Sequence, residues 1–506
     1  MAYAFLLVLY LDYGPVRWDE TPHLVGGLLL SRGQISEYSQ QYTFYPPLFD
    51  AMTAFYYIVL GSSLFSARLV AVTFGILSIW AVFEYAYRLY GPKKALLASI
   101  LLASMPGLIS LSRLAFIETM LLFFFSVSLF LFFLWLHKRN IVLLFVSVVA
   151  FALGIIAKYQ VVIAGAVMLI SFFFVSKGYN LKKIGKILLI SIIAISVFLP
   201  VFFYLYPNYV SDTLGDWIYA IQVGNEERSV YSERFPLPIF YLIELTYPYE
   251  HIHPISLPLY ILGLCGLGLW LWRRRSEDKF SLIWFFVVYG AFTLIPNRNW
   301  RYVIPLFPIL AMSTSDFILT IWDKIKHWTL GYKNSSQKLI TKKIVAVVFI
   351  ILIGSSVVYS WENAYSWEES EHFSIPIAEA SQYVVENSAL NDTTVLLFTT
   401  NYFSFDMVRY YFSIYDSSDR ALWVYPEHAA DVYVPVLNVT YLINSCDSKN
   451  VKYLLLYEFG NLTYFMSDWN YYYVFDKLID SGRFTFETIV GTFPNRIVII
   501  RFIPNS

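Results

Sequence analysis

Apolar runs long enough to cross a bilayer recur along this chain, and no other feature restricts the fold as strongly. After an apolar start at 1–11 they fall at roughly 64–87, 95–111, 114–136, 141–157, 161–176, 187–206, 256–272, 280–296, 302–322 and 344–361. A helix needs about 20 mostly apolar residues to cross the hydrocarbon layer, so the runs predict about eleven spans. The first run has no basic n-region and no small-residue cleavage site, and reads as the end of a spanning helix rather than a signal peptide. Composition agrees: 14% of the 506 residues are charged, against about 25% in soluble domains. The expected fold is an α-helical polytopic membrane protein. The formal net charge is zero, so no overall field draws in nucleic acid. Cys265 and Cys446 are the only cysteines; far apart, they support neither a disulfide framework nor a metal site.

The loops fix the expected orientation. Nineteen of the 36 Lys and Arg lie in five alternate loops: Arg88, Lys93 and Lys94; Lys138 and Arg139; the lysines of 177–186; Arg273 to Arg275 with Lys279; and the lysines of 324–343. The positive-inside rule assigns all five to the cytoplasm. The loop 12–63, the junctions near 112–113 and 158–160, the loop 207–255, the junction 297–301 and everything from 362 onward then face outward. Residues 1–361 are expected to form the membrane domain, and 362–506 a soluble extracytoplasmic α/β domain. The tail carries strand-like runs, "TTVLLFTT" (393–400) and "KYLLLYEF" (452–459), of the apolar, β-branched kind that builds sheets. It also carries N-x-S/T sequons at Asn391, Asn438 and Asn461; a fourth, at Asn334, falls in an expected cytoplasmic loop.

Ionisable residues at or inside spans are costly and by default mark function. Here the outward ones gather on one face. Asp19 and Glu20 follow the first span, with His23 close by. Arg68 lies near the outer start of the second span, Arg113 at the outer turn before the fourth, and Glu118 inside the fourth. Lys158 lies between the fifth and sixth, and Arg298 and Arg301 begin the tenth. A lone cation at a span end is usually an interfacial anchor. Arg68 and Glu118, flanked by apolar residues, fit that role less well. Several cations at the outer leaflet suit an anionic headgroup such as a phosphate, and a carboxylate nearby could take a proton from an acceptor hydroxyl. Nucleotide sugars belong to the cytoplasm, so an external transferase needs a lipid-carried donor. Together these features point to a transferase using a polyprenyl-phosphate sugar.

At this point the chain resembles the GT-C-type polytopic glycosyltransferases, most of all the protein O-mannosyltransferases and the lipid A aminoarabinose transferases. The resemblance covers about residues 1–320. It rests on "WDE" in the first external loop, "YPPL" (45–48), "ARL" at the second span, Arg113 with Glu118, Lys158, and the R-Y-x-x-P-x-x-P run from Arg301 to Pro308. It implies a GT-C-like bundle, Asp19 as catalytic base beside Glu20, Arg68 on the lipid phosphate, Lys158 and Arg301 as further phosphate or headgroup contacts, and inversion at the anomeric carbon. Arg113, Glu118, Arg298 and Tyr45 join the expected binding set. The chain has Tyr45 where the family often has His before Pro-Pro, and Glu118 where it often has Asp; sugar and acceptor therefore stay open.

A transporter or flippase of a lipid-linked saccharide would use the same cations without a base, although no transporter-type internal repeat is evident. A non-catalytic subunit with a binding domain is a third reading. The sequence makes no cofactor certain. A divalent cation could use Asp19, Glu20, His23 and Glu118, but the external loops lack D-x-D and E-x-x-H spacings. The expected partners are a polyprenyl-phosphate sugar, an acceptor hydroxyl on protein, lipid or glycan, and the bilayer, with no nucleic acid.

Overall fold

The computed structural model of the protein describes residues 2–12, 16–41, 44–175, 204, 235–247, 252–295, 298–328, 335–370, 375–399, 403–416, 420–426, 437–458, 471–493 and 495–504. The basic loop of 177–186, the span expected at 187–206 (apart from Tyr204) and the sequons at Asn334 and Asn461 lie outside them. The chain divides into two compact units. One comprises Met1–Leu11, Leu29–Val59 and Phe65–Glu369; the other comprises Asp12–Leu28, Leu60–Leu64 and Ser370–Ser506.

The first unit is helical. Among the described residues, four helical stretches are long and apolar enough to cross a membrane: Leu64–Tyr90, Glu118–Lys138, Trp300–His327 and Ala346–Tyr365. A fifth is added if the bent pair Pro92–Ala103 and Pro106–Ser112 counts as one span, and shorter apolar helices include Ile141–Ala157 and Leu257–Arg273. The chain is a multi-pass membrane protein. The run expected to be continuous at 95–111 breaks by 66° between that pair. Met105 is extended (φ −76°, ψ 121°), because the proline ring disfavours helical backbone in the residue before it. The helix then restarts with Pro106 at its first position, where no N–H is needed.

Small residues set the closest helix approach. A Cβ on Gly266 would lie 2.2 Å from the Ser313 carbonyl oxygen, so helices Leu257–Arg273 and Phe307–Trp328 pack backbone to backbone there. The Ser313 hydroxyl donates to the Gly263 carbonyl at 2.9 Å. With lipid on the outside, such packing and interhelical hydrogen bonds replace the hydrophobic drive of water. Aromatic side chains fill the interior: Trp284 lies 6.0 Å from Tyr85 and 5.6 Å from Phe125, centroid to centroid.

The second unit holds a five-stranded mixed sheet. Its strands are β1 (Thr393–Leu397), β2 (Leu422–Tyr425), β3 (Val451–Glu458), β4 (Phe484–Thr492) and β5 (Asn495–Phe502), in the order β2-β1-β3-β5-β4. β2, β1 and β3 run parallel, and β5 and β4 complete an antiparallel edge. Helices Phe405–Tyr415 and Val439–Ser448 supply the crossovers between the parallel strands. The centres of β1 and β3, 395–397 and 453–457, read as apolar runs because sheets covered on both faces bury successive side chains; Val395, Leu396 and Leu397 are all fully buried. The expected strand at 393–400 ends early, at Leu397, where Phe398 turns to φ 56°.

Cys446 packs in this core, and burial pushes its thiol up to about 12. Only the thiolate alkylates, and at pH 8 a thiol so shifted is ionised to about one part in 10,000. Iodoacetamide at pH 8 should therefore modify Cys446 only after denaturation. Rapid labelling of the native protein, read by peptide mass, would contradict the packing.

Candidate active site

The acidic pair sits on a single 3₁₀ turn, Trp18–Glu20, that opens helix Thr21–Ser31. The two carboxylates differ. Glu20 is fully buried, and its Oε2 accepts the Arg17 peptide N–H at 3.0 Å. The Thr21 hydroxyl donates to the Arg17 carbonyl at 3.0 Å and tightens the same turn. Asp19 is half-buried and His23 buried. The sequence shows two adjacent acids; in the fold Glu20 is the buried one and accepts a main-chain N–H of its own turn.

Within the helical unit, three of the sequence-selected charges converge. Lys158 Nζ lies 2.9 Å from Glu118 Oε1, and both side chains are buried. Glu118 is the first residue of helix Glu118–Lys138, where the helix dipole favours a carboxylate. Lys158 follows helix Ile141–Ala157 in extended backbone (φ −156°, ψ 128°), which turns the chain into the next helical turn. The ammonium stands 5.9 Å from the Tyr302 ring centroid. The neighbouring Arg301 lays its guanidinium 5.2 Å from the ring of Phe116, two residues before Glu118. Asn299 fixes this segment by accepting the Arg301 peptide N–H at 3.0 Å. Segments 116–118, 158 and 299–302 thus form one charged and aromatic group whose formal side-chain charges sum to +1.

The other cations are held differently. Arg113 donates to the carbonyls of Leu6, Leu7, Leu9 and Tyr10 at 2.8 to 3.4 Å and lies 4.8 Å from the Tyr365 ring. Arg68, 1% exposed, donates to the Leu11 carbonyl at 3.0 Å. These are the carbonyls at the end of helix Ala2–Val8 and just beyond it, which have no partner further along the helix and favour a cation. Arg298 donates to the Thr293 carbonyl at 3.3 Å and faces Phe240 at 5.6 Å. Tyr45 is half-buried and meets Phe44 edge-on at 4.8 Å. Among the described residues no three His, Cys, Asp or Glu side chains converge as metal ligands.

One charged network escaped the sequence reading. Arg273 grips Asp278 with two hydrogen bonds of 2.6 and 2.7 Å and reaches Asp316 at 2.6 Å. Lys94 also pairs with Asp316, and the Trp270 indole N–H donates to it at 2.7 Å. An aspartate within the apolar run 302–322 was the available signal.

Comparison with known proteins bears on the fold. The sequence profile of the family described as dolichyl-phosphate-mannose-protein mannosyltransferase matches residues 45–204. An uncharacterised protein of Aquifex aeolicus is 23% identical over 277 residues, 54% of this chain and 52% of that protein; the match spans about half the length of that curated relative. A crystal structure of ArnT from Cupriavidus metallidurans bound to undecaprenyl phosphate is similar over 99% of this chain and 96% of its own, with a TM-score of 0.65 at 13% identity. The Archaeoglobus fulgidus oligosaccharyltransferase in its apo form is similar over 90% of this chain and 69% of its own, with a TM-score of 0.59 at 15% identity. The architecture is that of the GT-C-type glycosyltransferases, a helical membrane unit with a β-containing C-terminal domain. The chain resembles the dolichyl-phosphate-mannose-protein mannosyltransferases in sequence profile over residues 45–204 and ArnT in fold.

Proposed function

We propose that the protein transfers a sugar from a polyprenyl (dolichyl) phosphate to an acceptor hydroxyl on the extracytoplasmic face, with inversion. The observation that carries this reading is the buried Glu118–Lys158 pair with the half-buried Arg301 beside it, in a fold shared with a protein whose crystal structure holds undecaprenyl phosphate. A polyprenyl-phosphate sugar is a phosphodiester with one negative charge, which the group's net positive charge complements. When the sugar leaves, the phosphate gains a second negative charge, so preplaced cations favour the transition state over the bound donor. Asp19 accepts the acceptor proton. The acceptor oxygen bonds to the anomeric carbon from the face opposite the phosphate, and the carbon–oxygen bond to phosphate breaks with its electron pair. Lys158 and Arg301 receive the phosphate, with Glu118 orienting Lys158. Arg68 and Arg113 place positive charge at the end of the first helix, and Arg298 and Tyr45 contribute to the headgroup site. The positive-inside loops support the outward placement of this site and of residues 362–506.

Reconstituted protein given a radiolabelled polyprenyl-phosphate sugar and a range of hydroxyl acceptors should form a covalently labelled product. Movement of the labelled lipid between leaflets with no product would replace this reading with a flippase for lipid-linked saccharides.

A further inference from the structure

A cavity whose described lining carries no Lys, Arg, Asp or Glu lies in the helical unit where Thr246–Tyr247, His253 and the start of helix Leu257–Arg273 meet residues 355–359 of helix Ser335–Ser370. We propose that it binds an uncharged, hydroxyl-bearing ring, the terminal saccharide of an acceptor.

Its volume is about 260 Å³, just under the roughly 300–1,000 Å³ of sites for drug-sized ligands and therefore suited to a single ring. Two polar groups define what it recognises. Ser256 is 1% exposed, lines the cavity, and its hydroxyl has no hydrogen-bond partner. Buried polar atoms are nearly always satisfied, so an orphaned hydroxyl in a cavity wall points to a ligand. His253 places Nδ1 against the Thr246 carbonyl oxygen. A carbonyl only accepts, so the proton is assigned to Nδ1 and the neutral ring keeps an acceptor lone pair on Nε2. Donor and acceptor together match a sugar hydroxyl. Flat faces complete the match: Tyr247 meets the imidazole edge-on at 5.2 Å, and Tyr359 lies 6.2 Å from it. Among the described lining residues a phosphate or carboxylate would find no Lys or Arg, which separates this site chemically from the Glu118–Lys158–Arg301 group.

The walls are fixed without a ligand. The His253 peptide N–H donates to Asn363 Oδ1, Ile255 N–H to the Leu245 carbonyl, and Gly107 N–H to the Pro254 carbonyl, each at 3.0 Å. Gly107 also ties the cavity to the cation group. A Cβ there would meet Trp300 at 2.7 Å and Pro254 at 3.1 Å, so the residue before Arg301 and the residue after His253 pack on one glycine. Naming the ring as part of the acceptor rests on the transferase reading; the binding itself does not.

The test uses the full chain in lipid nanodiscs, free of glycoside detergents, which would occupy the site. Saturation-transfer NMR is run with methyl pyranosides and methyl furanosides as soluble probes, and with octyl glucoside as a membrane-borne probe. Ring-proton signals from at least one glycoside are expected, unaffected by excess inorganic phosphate. Ser256→Val, which removes the hydroxyl and adds a methyl group to the cavity wall, should abolish them. His253→Phe, which keeps a ring but loses the acceptor, should weaken affinity by about 3- to 10-fold, the value of one hydrogen bond. Ser256→Ala, the least disruptive change, should do the same and serves if the valine variant does not fold. A signal from octyl glucoside alone assigns the ring to a lipid-linked acceptor. Absence of any ring signal, equal signals in all variants, or saturation confined to the octyl chain overturns the proposal. No donor is present, so a protein that transfers nothing can still pass and an active transferase can still fail.

Discussion

Asp19→Asn is expected to lower turnover by about 100- to 10,000-fold, the usual contribution of a general base, with donor affinity nearly unchanged. Asparagine has the size of aspartate but cannot take the acceptor proton. The prediction singles out Asp19 because its neighbour is committed elsewhere. The Glu20 carboxylate is fully buried and accepts the Arg17 peptide N–H at 3.0 Å, and its job is to hold the turn. Glu20→Gln keeps an oxygen for that N–H and should cost less than about tenfold, the effect of perturbing one hydrogen bond. Turnover and Michaelis constant should be measured separately with a labelled donor, because loss of an interaction made only in the transition state lowers kcat while loss of ground-state binding raises KM. A second readout is the pH profile: the acid limb of the wild-type rate, set by protonation of the base, should vanish in the variant. If Asp19→Asn lost donor affinity and kept its maximal rate, the carboxylate would be a binding element and the assignment of the base would be wrong.

How much of this could be read from the sequence depended on the range of the interactions involved. Apolar runs and strand-like segments are local patterns. They gave the helices around 64–87 and 114–136 and the strands near 393 and 452 at close to their observed bounds. The bend at Pro106 was local too, and a proline within an apolar run is its usual sign. Pairings are not local. Glu118 and Lys158 were selected as separate outward charges, but their 2.9 Å contact spans 40 residues and depends on how two helix ends meet. Nor does sequence reveal what a cation bonds to. Arg68, Arg113, Lys158 and Arg301 look alike on paper; in the fold the first two donate to main-chain carbonyls of residues 6–11, while Lys158 meets a carboxylate and Arg301 a ring. The difference in burial between Asp19 and Glu20 was hidden for the same reason. It follows from a backbone turn three residues long.

Asp316→Ala should be among the most destabilising single changes in the helical unit, costing about 3–5 kcal/mol, the usual result of removing one partner from a buried ion pair. Asp316 is fully buried and accepts from Arg273, Lys94 and the Trp270 indole at once. Those three groups come from helices Leu257–Arg273 and Pro92–Ala103, and Asp316 belongs to Phe307–Trp328, so one carboxylate ties three helices together. Its loss leaves two positive charges against one remaining acid, Asp278, and a buried indole N–H with nothing to donate to. Arg273 keeps its two-bond grip on Asp278 at 2.6 and 2.7 Å, so most of the damage falls on Lys94. That identifies a compensating variant. Adding Lys94→Met to Asp316→Leu removes one charge of each sign, leaves Arg273 with Asp278, and should recover much of the loss, because a buried ion pair replaced by apolar groups of similar volume is often neutral. Unfolding midpoints by scanning fluorimetry, at one scan rate because membrane proteins often unfold irreversibly, would rank the variants. The expected order is wild type, the Lys94→Met/Asp316→Leu double variant, then Asp316→Ala. An Asp316→Ala midpoint equal to wild type would mean that water reaches this network and screens it; a double variant as unstable as the single one would mean that Asp316 acts chiefly through Arg273 and Trp270.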